Sequence, residues 1–126
     1  MLGAQSTEGG LSMNEIQVMA HCTIHPGKLQ ELKVLAERCL SIVRQKDKNT
    51  LQYDWFFNKD QTECVVREKY RDSGAVLQHV ANLGDAMGQL LGLCEMSIEI
   101  YGEPSVELVK ATASLDVTVY RHHQGL

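Results

Sequence analysis

The sequence has no long apolar run, no basic stripe, no paired cysteines and no glycine-rich phosphate loop, and each absence removes a class of function. No stretch approaches the roughly 20 apolar residues of a membrane-spanning helix. The 12 basic and 16 acidic residues give a net charge of -4 and are scattered, so the electrostatic footprint of a nucleic-acid binder is missing. Neither G-x-G-x-x-G nor G-x-x-x-x-G-K occurs, which removes nucleotide and flavin binding through those loops. The cysteines Cys22, Cys39, Cys64 and Cys94 form no C-x-x-C pair, and each sits among apolar neighbours. They are expected to be free, buried thiols in a reducing cytoplasm. The opening MLGAQSTEGGLS lacks a positive cluster and an apolar segment. It is therefore not expected to be a secretory signal, and residues 1–13 are expected to form a loose tail.

What is present fits one domain over residues 14–126. The 126 residues, 44% hydrophobic and 22% charged, suit a single modest core. Ile16, Val18, Ala20, Cys22 and Ile24 alternate onto one face of a strand. His25-Pro26-Gly27-Lys28 then reads as a turn. From Lys28 to Gln45 apolar residues recur every three to four positions, as in an amphipathic helix. Thr50 to Phe57 and Thr62 to Tyr70 read as two strands joined by the polar turn Asn58 to Gln61. On the first, Leu51, Tyr53, Trp55 and Phe57 are expected to share a face. On the second, Cys64, Val66, Glu68 and Tyr70 do. Asp72 or Ser73 can cap a helix through Leu83, and a further helical piece follows over Asp85 to Leu91. Glu95 to Tyr101 alternates as a strand, a short helix follows Pro104, and Leu115 to Tyr120 is a last strand or extended arm.

The order β-α-β-β-α-β predicts an α+β, ferredoxin-like fold: a four-stranded antiparallel sheet with its helices on one face. Both strand faces carry large apolar groups, with Met19 and Phe56 opposite Val18 and Trp55. Helices cover one face only, so the other is expected to close a two-fold homodimer, sheet against sheet.

Three groups of residues bear on chemistry. His79 shares a helix face with Ala75, Val76 and Leu83. It reads either as a proton-transfer group titrating near neutrality or as a core histidine bonded to backbone. Glu68 and Tyr70 precede it on a strand. Glu68 either orients His79 or pairs with Arg44 or Arg67. Tyr53, Trp55 and Phe57 form an aromatic row that lines a pocket for a flat ring or simply fills the core. No metal site is expected. His21 and His25 have metal-pair spacing for a helix, but on a strand they stand about 13 Å apart. His122 and His123 read as solvated tail. Gly84, Gly88 and Gly92 suggest a close backbone approach or a weak helix.

The chain also resembles a known family. The segments P-G-K (26–28), T-L-x-Y-D-W-F (50–56), V-x-E-K-Y-x-D-S (66–73), A-V-L-x-H (75–79) and Y-G-E-P-S (101–105) are similar in order and spacing to the antibiotic biosynthesis monooxygenase (ABM)-like superfamily of dimeric α+β barrels. The resemblance spans about Ile16 to Leu126. It implies a homodimeric barrel with a pocket between the sheet and the second helix in each protomer. Activities in the superfamily include cofactor-independent oxidation of quinols and anthrones, haem degradation, and isomerisation of small signalling ketones. The family often has a histidine at the position of His79; with that, the expected site takes His79 as catalytic base, Glu68 as its orienter and Tyr53, Trp55, Phe57 and Tyr70 as substrate-binding wall, with no cofactor. The haem-degrading members typically combine an Asn on the first strand, a Trp on the third and a His on the second helix. Here Trp55 is on the second strand and the first strand offers Gln17 or His21, so haem degradation is not expected. The expected function is a monooxygenase of a small electron-rich aromatic. Hydroxyketone isomerisation and non-catalytic ligand binding are the alternatives.

Overall fold

In the computed structural model, which describes residues 14–126, the chain forms strand β1 (Ile16–Ile24), helix α1 (Leu29–Lys46), strands β2 (Thr50–Phe57) and β3 (Glu63–Tyr70), helices α2 (Ser73–Leu83) and α3 (Asp85–Leu93), strand β4 (Cys94–Tyr101), helix α4 (Val106–Ala111) and strand β5 (Val117–Tyr120). The expected tail, residues 1–13, lies outside the described residues. The sheet order is β2-β3-β1-β4-β5. Its first four strands are antiparallel, as a ferredoxin-like fold requires, and β5 pairs parallel to β4. The sheet is thus five-stranded and mixed rather than four-stranded and antiparallel, because the short C-terminal arm adds to the β4 edge.

Strand pairing assigns the inner face directly. Val18 stands opposite Glu68 and Ile100, Ala20 opposite Val66 and Ile98, and Cys22 opposite Cys64 and Met96. On β2, Tyr53, Trp55 and Phe57 pair with Glu68, Val66 and Cys64. A register shift between Thr50 and Gln52 breaks the alternation, so Leu51 is exposed and leaves the row expected of it. Such a bulge bends the strand and re-aims its first residues. Leu32, Leu35, Ala36 and Cys39 of α1 close the core from above.

Asp72 caps α2, its carboxylate accepting from the Ala75 amide at 2.9 Å. The next residue links that helix to α4, since the Ser73 hydroxyl accepts from the Ser105 amide at 2.9 Å. Gly84, at φ +57°, ends α2 and starts α3. Gly102 is required outright: at φ +128° a Cβ there would meet the Glu15 carbonyl oxygen at 2.8 Å. Gly88 and Gly92 face open space, so no close backbone approach explains them. The outer sheet face is more polar than its apolar residues suggested. Met19, Val65, Phe56 and Tyr101 are interspersed with Gln17, His21, Arg67 and Glu99, and His21 pairs with Glu99 at 3.2 Å. Among the described residues, no helix is long and apolar enough to cross a membrane.

Candidate active site

The bulge that displaces Leu51 also turns Thr50 back onto the end of α1. There the Asp47 carboxylate becomes the hub of a buried network. Asp47 Oδ2 accepts from Thr50 Oγ1 at 2.7 Å and from His79 Nδ1 at 2.8 Å, and Oδ1 accepts from Asn82 Nδ2 at 2.8 Å. The side chains of His79 and Asp47 are 5% and 3% exposed, so the pair sits out of water. His79 and Asn82, three residues apart on α2, reach the same carboxylate because that spacing returns to the same helix face.

This network fixes the imidazole. A carboxylate only accepts, so Nδ1 carries the hydrogen and Nε2 is left with its lone pair. Burial pushes the His79 pKa down, and the Asp47 bond and charge offset this only in part; the ring is therefore neutral near pH 7. Burial alone would raise the Asp47 pKa. The donations from Asn82, Thr50 and His79 outweigh it and hold the carboxyl below its usual range. The ring is also packed by Tyr53 and Tyr70, with centroids at 5.0 and 5.4 Å.

Glu68 is the second perturbed group. Its carboxylate accepts from Tyr70 Oη at 2.5 Å. Burial pushes its pKa up to about 7, the Tyr70 bond opposes this, and the Asp47 charge adds to it. Glu68 as a residue keeps some accessibility because it also borders a shallow depression with Gln17, Met19, Gln52 and Arg67 on the outer face. Its side chain belongs to the inner face, where burial of the carboxyl raises its pKa. Tyr70 is fully buried, and burial beside Glu68 keeps its hydroxyl protonated.

His79, Glu68, Tyr53 and Trp55 border one interior cavity of about 70 Å³, otherwise walled by residues such as Val66, Val76, Met87, Met96 and Ile98. Trp55 Nε1 is buried and makes no hydrogen bond. The Tyr53 hydroxyl is near enough to feel the indole N–H, but the bond geometry between them is not met. A larger concavity, about 670 Å³, lies in the open groove between α1 and α3. Its charged groups, Glu31 and Arg38, are exposed and paired with Lys28 and Asp85, so it brings no water-shielded acid and base together.

Against the sequence reading, the structure unites His79, Glu68, Tyr53 and Trp55 and separates the rest. Glu68 does not orient His79, nor does it pair with Arg44 or Arg67; its partner is Tyr70. The orienter is Asp47, 32 residues from His79, which in the sequence was one charge in a Lys-Asp-Lys helix end. Phe57 faces inward but lies beyond the cavity, under the Lys33 ammonium at 5.5 Å. Tyr70 packs behind His79 rather than lining the space. His122 and His123 are exposed. Among the described residues, no three His, Cys, Asp or Glu side chains are grouped to hold a metal.

The site thus comprises a buried Asp47–His79 pair, the Glu68–Tyr70 pair and a small apolar cavity between a ferredoxin-like sheet and its helices. The family model described as antibiotic biosynthesis monooxygenase matches residues 16–84, a span that holds Asp47, Trp55, Glu68 and His79. The chain belongs to that family. Among solved structures it is similar to MupZ from Pseudomonas fluorescens, with a TM-score of 0.79 at 20% identity over 90% of this chain and 93% of that one. It is also similar to Rv0793 from Mycobacterium tuberculosis, with a TM-score of 0.64 at 19% identity over 72% and 96%. SnoaB from Streptomyces nogalater, a cofactor-independent oxygenase, aligns with a TM-score of 0.62 at 14% identity over 74% and 96%. At such identities the likeness is one of fold. No curated protein sequence matches the chain significantly.

Proposed function

We propose that this protein is a cofactor-independent monooxygenase of a small electron-rich aromatic, working as a homodimer through its outer sheet face. The observation that carries the reading is the neutral, Asp47-anchored imidazole of His79 beside a small apolar cavity. Family membership and the likeness to SnoaB support the same chemistry. In this reading Nε2 takes the proton of a phenolic hydroxyl, and Asp47 steadies the imidazolium through Nδ1. The aromatic anion gives electrons to oxygen, and a ring carbon bonds it as a peroxide. His79 returns its proton to the outer oxygen, the ring C–H proton is lost and the O–O bond breaks. One oxygen remains as a new carbonyl, the other leaves as water, and the substrate supplies every electron. Exclusion of water keeps the anion reactive. An anion forms beside Glu68 most easily while Glu68 is protonated, as its raised pKa permits.

Size narrows the substrate. A cavity of about 70 Å³ is smaller than the roughly 150 Å³ that admits benzene. Met87 and Met96 in its wall are flexible enough to widen it, which favours one ring over an anthrone. The small volume equally suits the second reading, isomerisation of a hydroxyketone with His79 moving the proton. The two perturbed groups speak against a purely binding role. Oxygen uptake with a panel of hydroquinones tests the first reading, and turnover without oxygen marks the second. His79→Ala should lower uptake by about 10²- to 10⁴-fold. An unchanged rate would remove His79 from the chemistry.

A further inference from the structure

A cavity of about 70 Å³ is smaller than a single ring needs, so part of its wall must move before a ligand enters. The sheet side is tied strand to strand through Val18, Ala20, Val66, Ile98 and Ile100. Helix α2 is bound to Asp47 through His79 and Asn82, and α3 to α1 through Arg38, which donates to Gln89 and Asp85 at 3.0 Å. The remaining wall is the stretch between β4 and β5, which contributes Leu108, Thr112 and Leu115. Its two ends are fixed. The Gly102 amide donates to the Tyr120 carbonyl at 3.0 Å, and the Asp116 carbonyl accepts from the Ile98 amide at 2.8 Å. Between them, among the described residues, the backbone-to-backbone bonds of residues 105–115 close within the segment, as from Val109 to Ser105 and from Thr112 to Leu108. One bond leaves it, from the Ser105 amide to the Ser73 hydroxyl at 2.9 Å. One helix residue anchors it: Leu108 is fully buried, whereas Val106 and Val109 are 65% and 50% exposed. Val80 of α2 lines the cavity and is still 41% exposed, which puts the cavity's solvent margin beside α2.

We propose that residues 105–115 form a strap that lifts to admit a single-ring ligand, with Leu108 as the plug and the bond between Ser105 and Ser73 as the latch. The inference rests on the proposed function in taking this cavity as the ligand site, and it adds the route by which that site is reached. Local opening is drawn from segments with few buried apolar contacts, and in α4 the fully buried contact is a single side chain. Lifting Leu108 also returns its own volume to the cavity, which makes room for the ring. The latch sits on the first residue of α2, well before His79, so the strap can leave without disturbing the Asp47 network. Reclosure over the ligand excludes water again.

Thiol labelling reads the opening without any ligand. Leu108→Cys places a thiol at the plug, and the four native thiols, all buried, report global unfolding in the same sample. The introduced thiol should label at least about tenfold faster than the native four, at a rate set by the open population. Ser73→Ala removes the latch and should raise that rate about fivefold, the worth of one hydrogen bond, with the native four unchanged. Entry is then read with phenol, without oxygen, through the fluorescence of Trp55, the single tryptophan and part of the cavity wall. In Ser73→Ala, association and dissociation should both quicken about fivefold while Kd stays within about twofold, since a gate changes the passage and not the bound state. Labelling of the introduced and native thiols at one rate would overturn the inference. So would an unlabelled plug, phenol rates unaffected by the latch, or phenol that never changes the Trp55 signal. A strap that behaves as expected in a protein that takes up no oxygen would leave the gate standing and remove the oxygenase reading. Oxygen uptake by a protein whose strap stays shut would do the reverse.

Discussion

Two buried clusters of titratable groups lie at the inner sheet face, one on its strands and one between a strand and the helices, and they behave in opposite ways. One cluster holds Cys22, Cys64 and Cys94, which are 1%, 0% and 3% exposed, with Cys22 directly across from Cys64 on the paired strands. The other holds Asp47, Glu68 and His79. The thiols hydrogen-bond with one another: the bonds with Cys64 and Cys94, together with burial, push Cys22 well above the usual thiol range, while the Cys22 bond lowers Cys64 and Cys94 against the opposing effect of burial. Neutral buried thiols are apolar packing groups and poor nucleophiles. The carboxylate of Asp47 stays charged instead, and three donors are spent to keep it so. Burial is therefore common to both clusters. What separates a site from a core is the set of hydrogen bonds committed to holding a charge in place, beside a space that a ligand can enter.

The largest break in this comparison comes from neutralising the hub. Asp47→Asn keeps the size of the side chain but replaces one acceptor oxygen with a donor, so it faces Thr50, His79 or Asn82 donor to donor. The expected loss is about 2–4 kcal/mol of stability and about a hundredfold in kcat with KM little changed, because the imidazolium loses its counter-charge. Chemical denaturation and oxygen uptake check the two separately. The Asp47 pKa is lowered in the folded protein. Its stabilisation is therefore present above the unfolded carboxylate value and lost as pH falls through the folded one. The acid limb of stability should be shallower in Asp47→Asn. A variant that is destabilised but turns over normally would make Asp47 a packing residue.

The fold was legible in the sequence because it rests on periodicity. Alternation placed the strands within a residue or two of their ends, and the three-to-four spacing placed α1 and α2. The exposed Leu51 was missed because alternation cannot register a bulge that partner-strand pairing imposes. The parallel pairing of β5 was missed because four residues carry no sign of their direction. The site was half legible. His79 stood out as a polar residue on an apolar helix face. Tyr53 and Trp55 stood out as inward aromatics. Asp47 did not, since its role depends on a contact across 32 residues that no local pattern encodes. The Glu68 assignment failed for a related reason: Tyr70, two residues along the same strand face, lay nearer to its carboxyl than any residue of α2.

An intermediate effect is expected from Glu68, the group that belongs to the site but gives way to burial as Cys22 does. Its pKa is raised to about 7 in the folded protein. A raised carboxyl lends stability that is fully present below its unfolded pKa and is lost as pH climbs through about 7. The span is on the order of 3 kcal/mol. Glu68→Gln is neutral at every pH, so it should remove this decline and be the more stable protein at pH 8. The same ionisation puts an anion beside a developing anion, so kcat/KM should fall on the alkaline side near pH 7 in the native protein and hold in Glu68→Gln. A native alkaline limb unchanged by the substitution would assign that titration to another group.

The smallest effect is expected at the thiol end, and that smallness is the sharpest check on the contrast. Cys22→Ala removes one sulfur from a packed interior and should cost about 1 kcal/mol without altering oxygen uptake or its pH profile. All four cysteines are free and buried. A thiol reagent should therefore leave the native protein unlabelled and titrate four groups after denaturation. Rapid labelling of the native state would mean that this end of the core opens to solvent on a short timescale. A change in kcat on Cys22→Ala would mean that the two clusters are coupled through the shared face, where Cys22 and Val18, two inner positions apart on β1, connect the thiols to the cavity wall. If both measurements come out as expected, burial alone is shown to be inert in this fold. The chemistry is then confined to the end where Asp47 holds its charge.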